Sequence, residues 1–145
     1  MTLEQAIALA AQVHEGQLDK AGAPYLLHPL RVMLRMESLE ERRVAVLHDV
    51  VEDGGLSLDV LRRKGLPEAE VLAVAALTKG DGEPYDAAIE RAGKDPLARR
   101  VKLADLADNM DRSRFKAIGP EDEQRFEKYR RARERLESIQ PASRP

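Results

Sequence analysis

The stretch SLEERRVAVLHDVVEDGG, residues 38–55, decides how this chain is read. Ser38 and Glu41 stand three apart, the spacing of a capping box, in which a hydroxyl and a carboxylate satisfy the free amides at a helix start. The spacing predicts a helix carrying Val44, Val46, Leu47 and Val50, stopped by Gly54-Gly55. On such a helix His48 and Glu52 share a face, as do Asp49 and both Glu52 and Asp53. Four ionisable groups thus crowd an otherwise aliphatic helix. Buried alone, the carboxylates would repel one another. A divalent cation relieves this, because it favours ionised carboxylate and neutral imidazole together. A solvent-exposed acidic helix end fits the same string.

The pattern on either side is also helical. Thr2 and Gln5 form a second capping box ahead of Leu3, Ile7, Ala10 and His14 at helical spacing. A loop from Glu15 to about Leu27 follows, and Pro29 suits the first position of a short helix. Ser57 caps a short helix closed by Gly65, and Pro67 opens an apolar one through Leu77. Tyr85 to Ala92 reads as helical. Asp95-Pro96 starts a helix to about Met110. The last begins near Pro120, with Phe126, Tyr129, Leu136 and Ile139 on one side. No strand alternation or internal repeat is present. The fold class is all-α, a single-domain helical bundle.

Composition narrows the function. With 24 basic against 26 acidic residues and 3% aromatics, neither a nucleic-acid field nor a base-stacking platform is expected. No apolar run approaches a membrane span, and the N-terminus lacks the basic region of a signal peptide, so a cytoplasmic location is expected. The absence of cysteine removes thiolate metal sites and cysteine nucleophiles. A chain of 145 residues leaves no room for a second catalytic domain, so a synthetase is not expected, and there is no glycine-rich P-loop.

Two further clusters carry polar groups. In VKLADLADNM, Lys102, Asp105 and Asn109 form a polar stripe beside Leu103, Leu106 and Met110, which suits either a pocket wall or a solvated face. In GQLDKAGAPYLLHPLRV, His28 is held against a rigid proline, suiting either a ligand or a plain helix-start histidine. His14 lies on the apolar face of the first helix and reads as a core residue or a support to the site.

Taken in order, HEGQLDKAGAPYLLHPLRV, LHDVVED, LTK at Leu77 to Lys79 and VKLADLADNM resemble the HD hydrolase domain of RelA/SpoT proteins and the stand-alone SpoT-like small alarmone hydrolases. The resemblance spans about residues 10 to 112. It implies an HD-type bundle over residues 1–140, and PASRP over 141–145 reads from its terminal position as a frayed tail. It implies one divalent ion, most often Mn²⁺, on His28, His48, Asp49 and Asp105. Glu52 and Asp53 would position and activate water, and Lys20 and Asn109 would contact the nucleotide.

The implied activity is metal-dependent hydrolysis of the 3′-pyrophosphate of (p)ppGpp. Two alternatives share the site: another nucleotide phosphatase, acting on the 2′-phosphate of NADPH or on nucleoside monophosphates, and a non-catalytic nucleotide-binding module. The implied partner is a small phosphorylated nucleotide, with no nucleic acid or membrane. Two positions depart from the pattern. Asp19 stands where an arginine is common beside Lys20, and Arg112 where a threonine is common.

Overall fold

A computed structural model describes residues 1–139 as eight α-helices and one 3₁₀ turn. The helices are α1 (Leu3–Val13), α2 (Leu27–Leu34), α3 (Leu39–Leu47), α4 (Leu58–Arg63), α5 (Glu68–Leu77), α6 (Tyr85–Lys94), α7 (Pro96–Asn109) and α8 (Pro120–Ser138). The 3₁₀ turn is Arg112–Arg114. Among the described residues there is no strand, only an isolated antiparallel bridge between Leu18 and Pro24. The frayed tail expected over 141–145 lies outside the described residues.

Both expected capping boxes form, at Thr2 with Gln5 and at Ser38 with Glu41. Asp95 caps α7 by accepting from the amides of Leu97 and Ala98, with Pro96 in the first turn. Two starts and stops differ from the sequence reading. Helix α2 opens at Leu27, two residues before Pro29, which is accommodated because first-turn amides have no helical acceptor. His28 therefore sits inside the helix rather than ahead of it.

Helix α3 ends at Leu47 instead of running through Val50. The reason is local. His48 Nδ1 lies 2.6 Å from the carbonyl of Ala45, the acceptor that the amide of Asp49 would use in a continued helix. The backbone then tightens, with Val50 N–H reaching Leu47 O at 3.1 Å, and residues 49–54 form turns. Glu52 and Asp53 are thus exposed turn residues. Gly54 closes the turns against α1, and a Cβ there would stand 2.0 Å from Val13 Cγ1 and 2.6 Å from the carbonyl of Val50.

Helix α7 is the hub of the bundle, packing on α2, α3, α5, α6 and α8. Its Val101 and Ala98 enter a main core with Val32, Val44, Val46, Leu47, Val71 and Val74. Leu106 enters a smaller one with Ile89, Ala132 and Leu136, which seats α8. Arg91 of α6 ties off the end of α5, donating to the carbonyls of Ala75 and Thr78 at 2.8 Å each and pairing with Glu83. No helix among the described residues is long and apolar enough to cross a membrane.

Candidate metal centre

Because α7 touches both α2 and α3, its polar stripe meets the start of one and the end of the other. Asp105 Oδ1 lies 2.7 Å from His28 Nε2 and 3.3 Å from His48 Nε2. Asp49 Oδ2 lies 3.0 Å from His48 Nε2 and 4.0 Å from His28 Nε2. Ligand atoms of His28, His48 and Asp49 all fall within 4.8 Å of one another. All four side chains are buried. Residues separated by up to 77 positions in the chain thus share one small volume.

The hydrogen-bond partners assign the ring protons. His48 Nδ1–H donates to the carbonyl of Ala45, and His28 Nδ1–H donates to Asp108 Oδ2 at 2.6 Å. When a ring is neutral, as metal ligation requires, its Nε2 presents a lone pair toward the carboxylates. Two nitrogen and two oxygen acceptors facing each other are not satisfied by any group among themselves. Extra protons or a cation are needed, and the mixed nitrogen and oxygen set fits a divalent transition ion.

The electrostatics agree with that demand. Burial alone would lower the affinity of His28 for a proton, yet Asp105 and Asp108 pull its pKa above the ordinary value. His48 behaves alike, with Asp49 and Asp105 outweighing burial. Burial would raise Asp105, but Lys102, His28 and His48 hold it well below the usual carboxylate range. Lys102 Nζ donates to Asp105 Oδ2 at 2.7 Å and Asn109 Nδ2 to Oδ1 at 3.3 Å. Tyr25 OH donates to Asp49 Oδ2. Glu52 and Asp53 are pushed upward, first by partial desolvation of carboxyl groups on otherwise exposed residues and then by the charge of Asp49, so each has an increased hold on a proton.

A cavity of about 350 Å³ opens beside this cluster, with Tyr25 and His28 in its wall. Lys20, Asn109 and Arg125 supply its polar lining, and Phe115, Phe126 and Tyr129 its aromatic lining. Lys20 is lowered from the ordinary lysine value by burial and by the charges of Arg125 and Lys128. Such crowded cations favour an anionic guest. Asp19 does not project into this space as a free charge. Its carboxylate accepts from the amides of Ala21 and Ala23 at 2.9 Å and pairs with Arg114 at 3.0 Å. Arg112 lies over the ring of Phe126, 5.1 Å from its centroid, and pairs with Glu123.

The structure therefore brings together His28, His48, Asp49 and Asp105, places Glu52 and Asp53 beside them in the turn, and puts Lys20 and Asn109 on the cavity. His14 is buried in the core, 2.9 Å from Gln17 Oε1 through Nδ1, with its ring centroid 4.9 Å from that of Tyr25 and tilted against it. Sequence reasoning missed Tyr25 and Asp108. The signal for Asp108 was its position one turn beyond Asp105, on the same stripe.

No family model matches the chain. Among curated relatives, a probable GTP pyrophosphokinase of Mycobacterium leprae is 34% identical over 152 residues, covering 96% of this chain and 18% of the relative. The bifunctional (p)ppGpp synthase/hydrolase RelA of Mycobacterium tuberculosis is 35% identical over 153 residues, covering 96% and 20%. A guanosine-3′,5′-bis(diphosphate) 3′-pyrophosphohydrolase of Vibrio cholerae is 28% identical, covering 96% and 21%. The chain spans about a fifth of the length of these relatives. Among solved structures, a metazoan ortholog of SpoT, described as hydrolysing ppGpp, superposes with a TM-score of 0.77. That match covers 97% of this chain and 87% of the other, at 22% identity.

An all-α bundle with a buried His/His-Asp/Asp cluster defines an HD-type domain. Within that class, the chain is similar over 96% of its length to one part of RelA/SpoT relatives, at 34% and 35% identity.

Proposed function

We propose that this domain is a metal-dependent phosphohydrolase that cleaves the 3′-pyrophosphate of (p)ppGpp. The observation that carries the reading is the cluster of four acceptors opening directly onto an anion-seeking, aromatic-lined cavity through His28. His28, His48, Asp49 and Asp105 would hold one divalent ion, with Mn²⁺ the best fit to the donor set and the family. Bound there, the ion supplies Lewis acidity toward water and toward phosphoryl oxygens.

The chain's own groups provide the rest. Lys20, Arg125 and Asn109 would orient the phosphates, while Phe115, Phe126 and Tyr129 offer faces for a base. Glu52, with its raised proton affinity and exposed position, would take the proton of the attacking water, with Asp53 orienting that water. The water oxygen joins phosphorus, the bond from phosphorus to the 3′ oxygen breaks, that oxygen takes up a proton in place of the one given to Glu52, and pyrophosphate is released.

One observation favours a second substrate reading. Asp19, where a stacking arginine is common, is tied inward to Arg114, so the base-side wall has no guanidinium from that position. NADPH, through its 2′-phosphate, and nucleoside monophosphates are then competing substrates on the same centre. A Mn²⁺-supplemented hydrolysis screen over ppGpp, NADPH and nucleoside monophosphates decides, with Asp49→Ala as control. Release of pyrophosphate from ppGpp, lost in the control, is the expected result. Turnover of none of the panel by Mn²⁺-loaded protein would reduce the domain to a binding module.

A further inference from the structure

Asp108 is fully buried at the end of α7, and no part of the hydrolytic reading uses it. Its carboxylate is nevertheless among the most heavily contacted groups in the molecule. It accepts from His28 Nδ1 at 2.6 Å, from Arg31 Nε and Nη2 at 2.7 and 3.0 Å, and from Arg114 Nη1 at 3.3 Å. Arg114 Nη1 also donates to the Asp108 carbonyl at 2.8 Å, and Nη2 continues to Asp19. Asp19 in turn holds the amides of Ala21 and Ala23, fixing the loop that carries Lys20 to the cavity.

We infer that Asp108 is a positioning residue that fixes the ring and tautomer of His28, and that Arg114 extends the same ionic network to the loop bearing Lys20. The inference rests on the reading of His28 as a metal ligand. An imidazole has two competing nitrogens and a soft ring torsion. A charged acceptor on Nδ1–H removes both freedoms and increases the basicity of Nε2. The guanidinium of Arg31, on both Asp108 oxygens at 2.7 and 3.0 Å, serves a separate purpose. It offsets the burial of that carboxylate and keeps it an acceptor, so the proton stays on the ring, and the longer 3.3 Å contact from Arg114 adds little to this. One carboxylate thereby sets the aim of a donor on α2 and, through Arg114, the shape of the base-side loop.

Titration calorimetry with Mn²⁺ tests this on folded, metal-stripped protein. Asp108→Asn, with the amide oxygen in place but the charge gone, is expected to bind Mn²⁺ about 10–100-fold more weakly than the parent chain. Arg114→Gln is expected to leave Mn²⁺ affinity within about threefold while amide exchange at Ala21 and Ala23 accelerates about tenfold or more. Equal Mn²⁺ affinity in the parent and Asp108→Asn overturns the inference and leaves the cation site standing. No Mn²⁺ binding by the parent overturns the metal reading itself.

Should Asp108→Asn fail to fold, the parent chain still supplies the answer. Proton–nitrogen spectra of the Zn²⁺-loaded protein are expected to show the His28 Nδ1–H proton strongly deshielded and slow to exchange, as a short bond to a buried carboxylate requires. An Nδ1–H that exchanges and resonates like that of a solvent-facing imidazole sinks the proposal.

Discussion

Glu52 and Asp53 sit outside the donor cluster yet close enough to feel Asp49, and that separation gives them distinct testable behaviour. Glu52→Gln keeps the size and removes the proton acceptor. Hydrolysis is expected to fall about 10²–10⁴-fold while Mn²⁺ affinity stays near that of the parent, read by calorimetry beside steady-state kinetics. Loss of metal with the activity would instead place Glu52 among the ligands.

At this scale the sequence was most informative where a residue type is rare. With three histidines in the chain, His28 and His48 stood out, and the two aspartates followed from their strings. Asp108 and Tyr25 did not stand out. Buried aspartates and tyrosines acquire meaning only from what the fold sets opposite them, here a ring nitrogen 80 positions away and a carboxylate 24 away.

Among the elements, α3 shows both what helix rules predict and what escapes them. Its start followed from Ser38 and Glu41. The Glu41 carboxylate accepts from the amides of Ser38 and Glu37 and pairs with Arg100 at 2.5 Å. Burial opposes its ionisation, but Arg100 and the Ser38 contacts win and bring its pKa to about 2 from 4.5. With the folded pKa depressed, its contribution to stability is present above about pH 4.5 and is lost as pH falls toward 2. Glu41→Gln is expected to lower stability by about 1–2 kcal/mol at pH 7 and to flatten the loss below pH 4.5, measured by urea unfolding across pH.

The end of α3 was not legible. Propensity favours continuation through Val50, and only the ring of His48 taking the Ala45 carbonyl stops it. The turn that replaces the missing helix depends on Gly54. Gly54→Ala would drive a methyl into Val13 and the Val50 carbonyl. A destabilisation of about 1–3 kcal/mol is expected in denaturant titrations, together with weakened metal binding through displacement of Asp49. An unchanged midpoint would mean that α1 yields easily.

For the whole molecule, the candidate centre spans three elements, α2, α3 and α7, each packed on the other two. The all-α class was readable because periodicity and caps are local. The convergence of α2, α3 and α7 was not, since helix order alone leaves several bundle arrangements open. Because an unfolded chain cannot assemble these donors, any ion that binds them stabilises the fold. At a Mn²⁺ concentration of about 100 times Kd the gain is about 2.7 kcal/mol. This is expected as a rise of roughly 5–10 °C in Tm, reversed by chelator and absent in His48→Ala.

The clamp that Arg91 places on the end of α5 has a practical consequence for anyone who needs a handle on this molecule. Thr78 and Glu83 are both fastened by one guanidinium, whereas Asp81 and Gly82 between them project outward. The two feet of this loop stay put whatever hangs from its tip. A short peptide tag or a dye inserted between Asp81 and Gly82 is therefore expected to leave the Mn²⁺ titration and the melting curve unaltered. The same graft into residues 49–54 would abolish both.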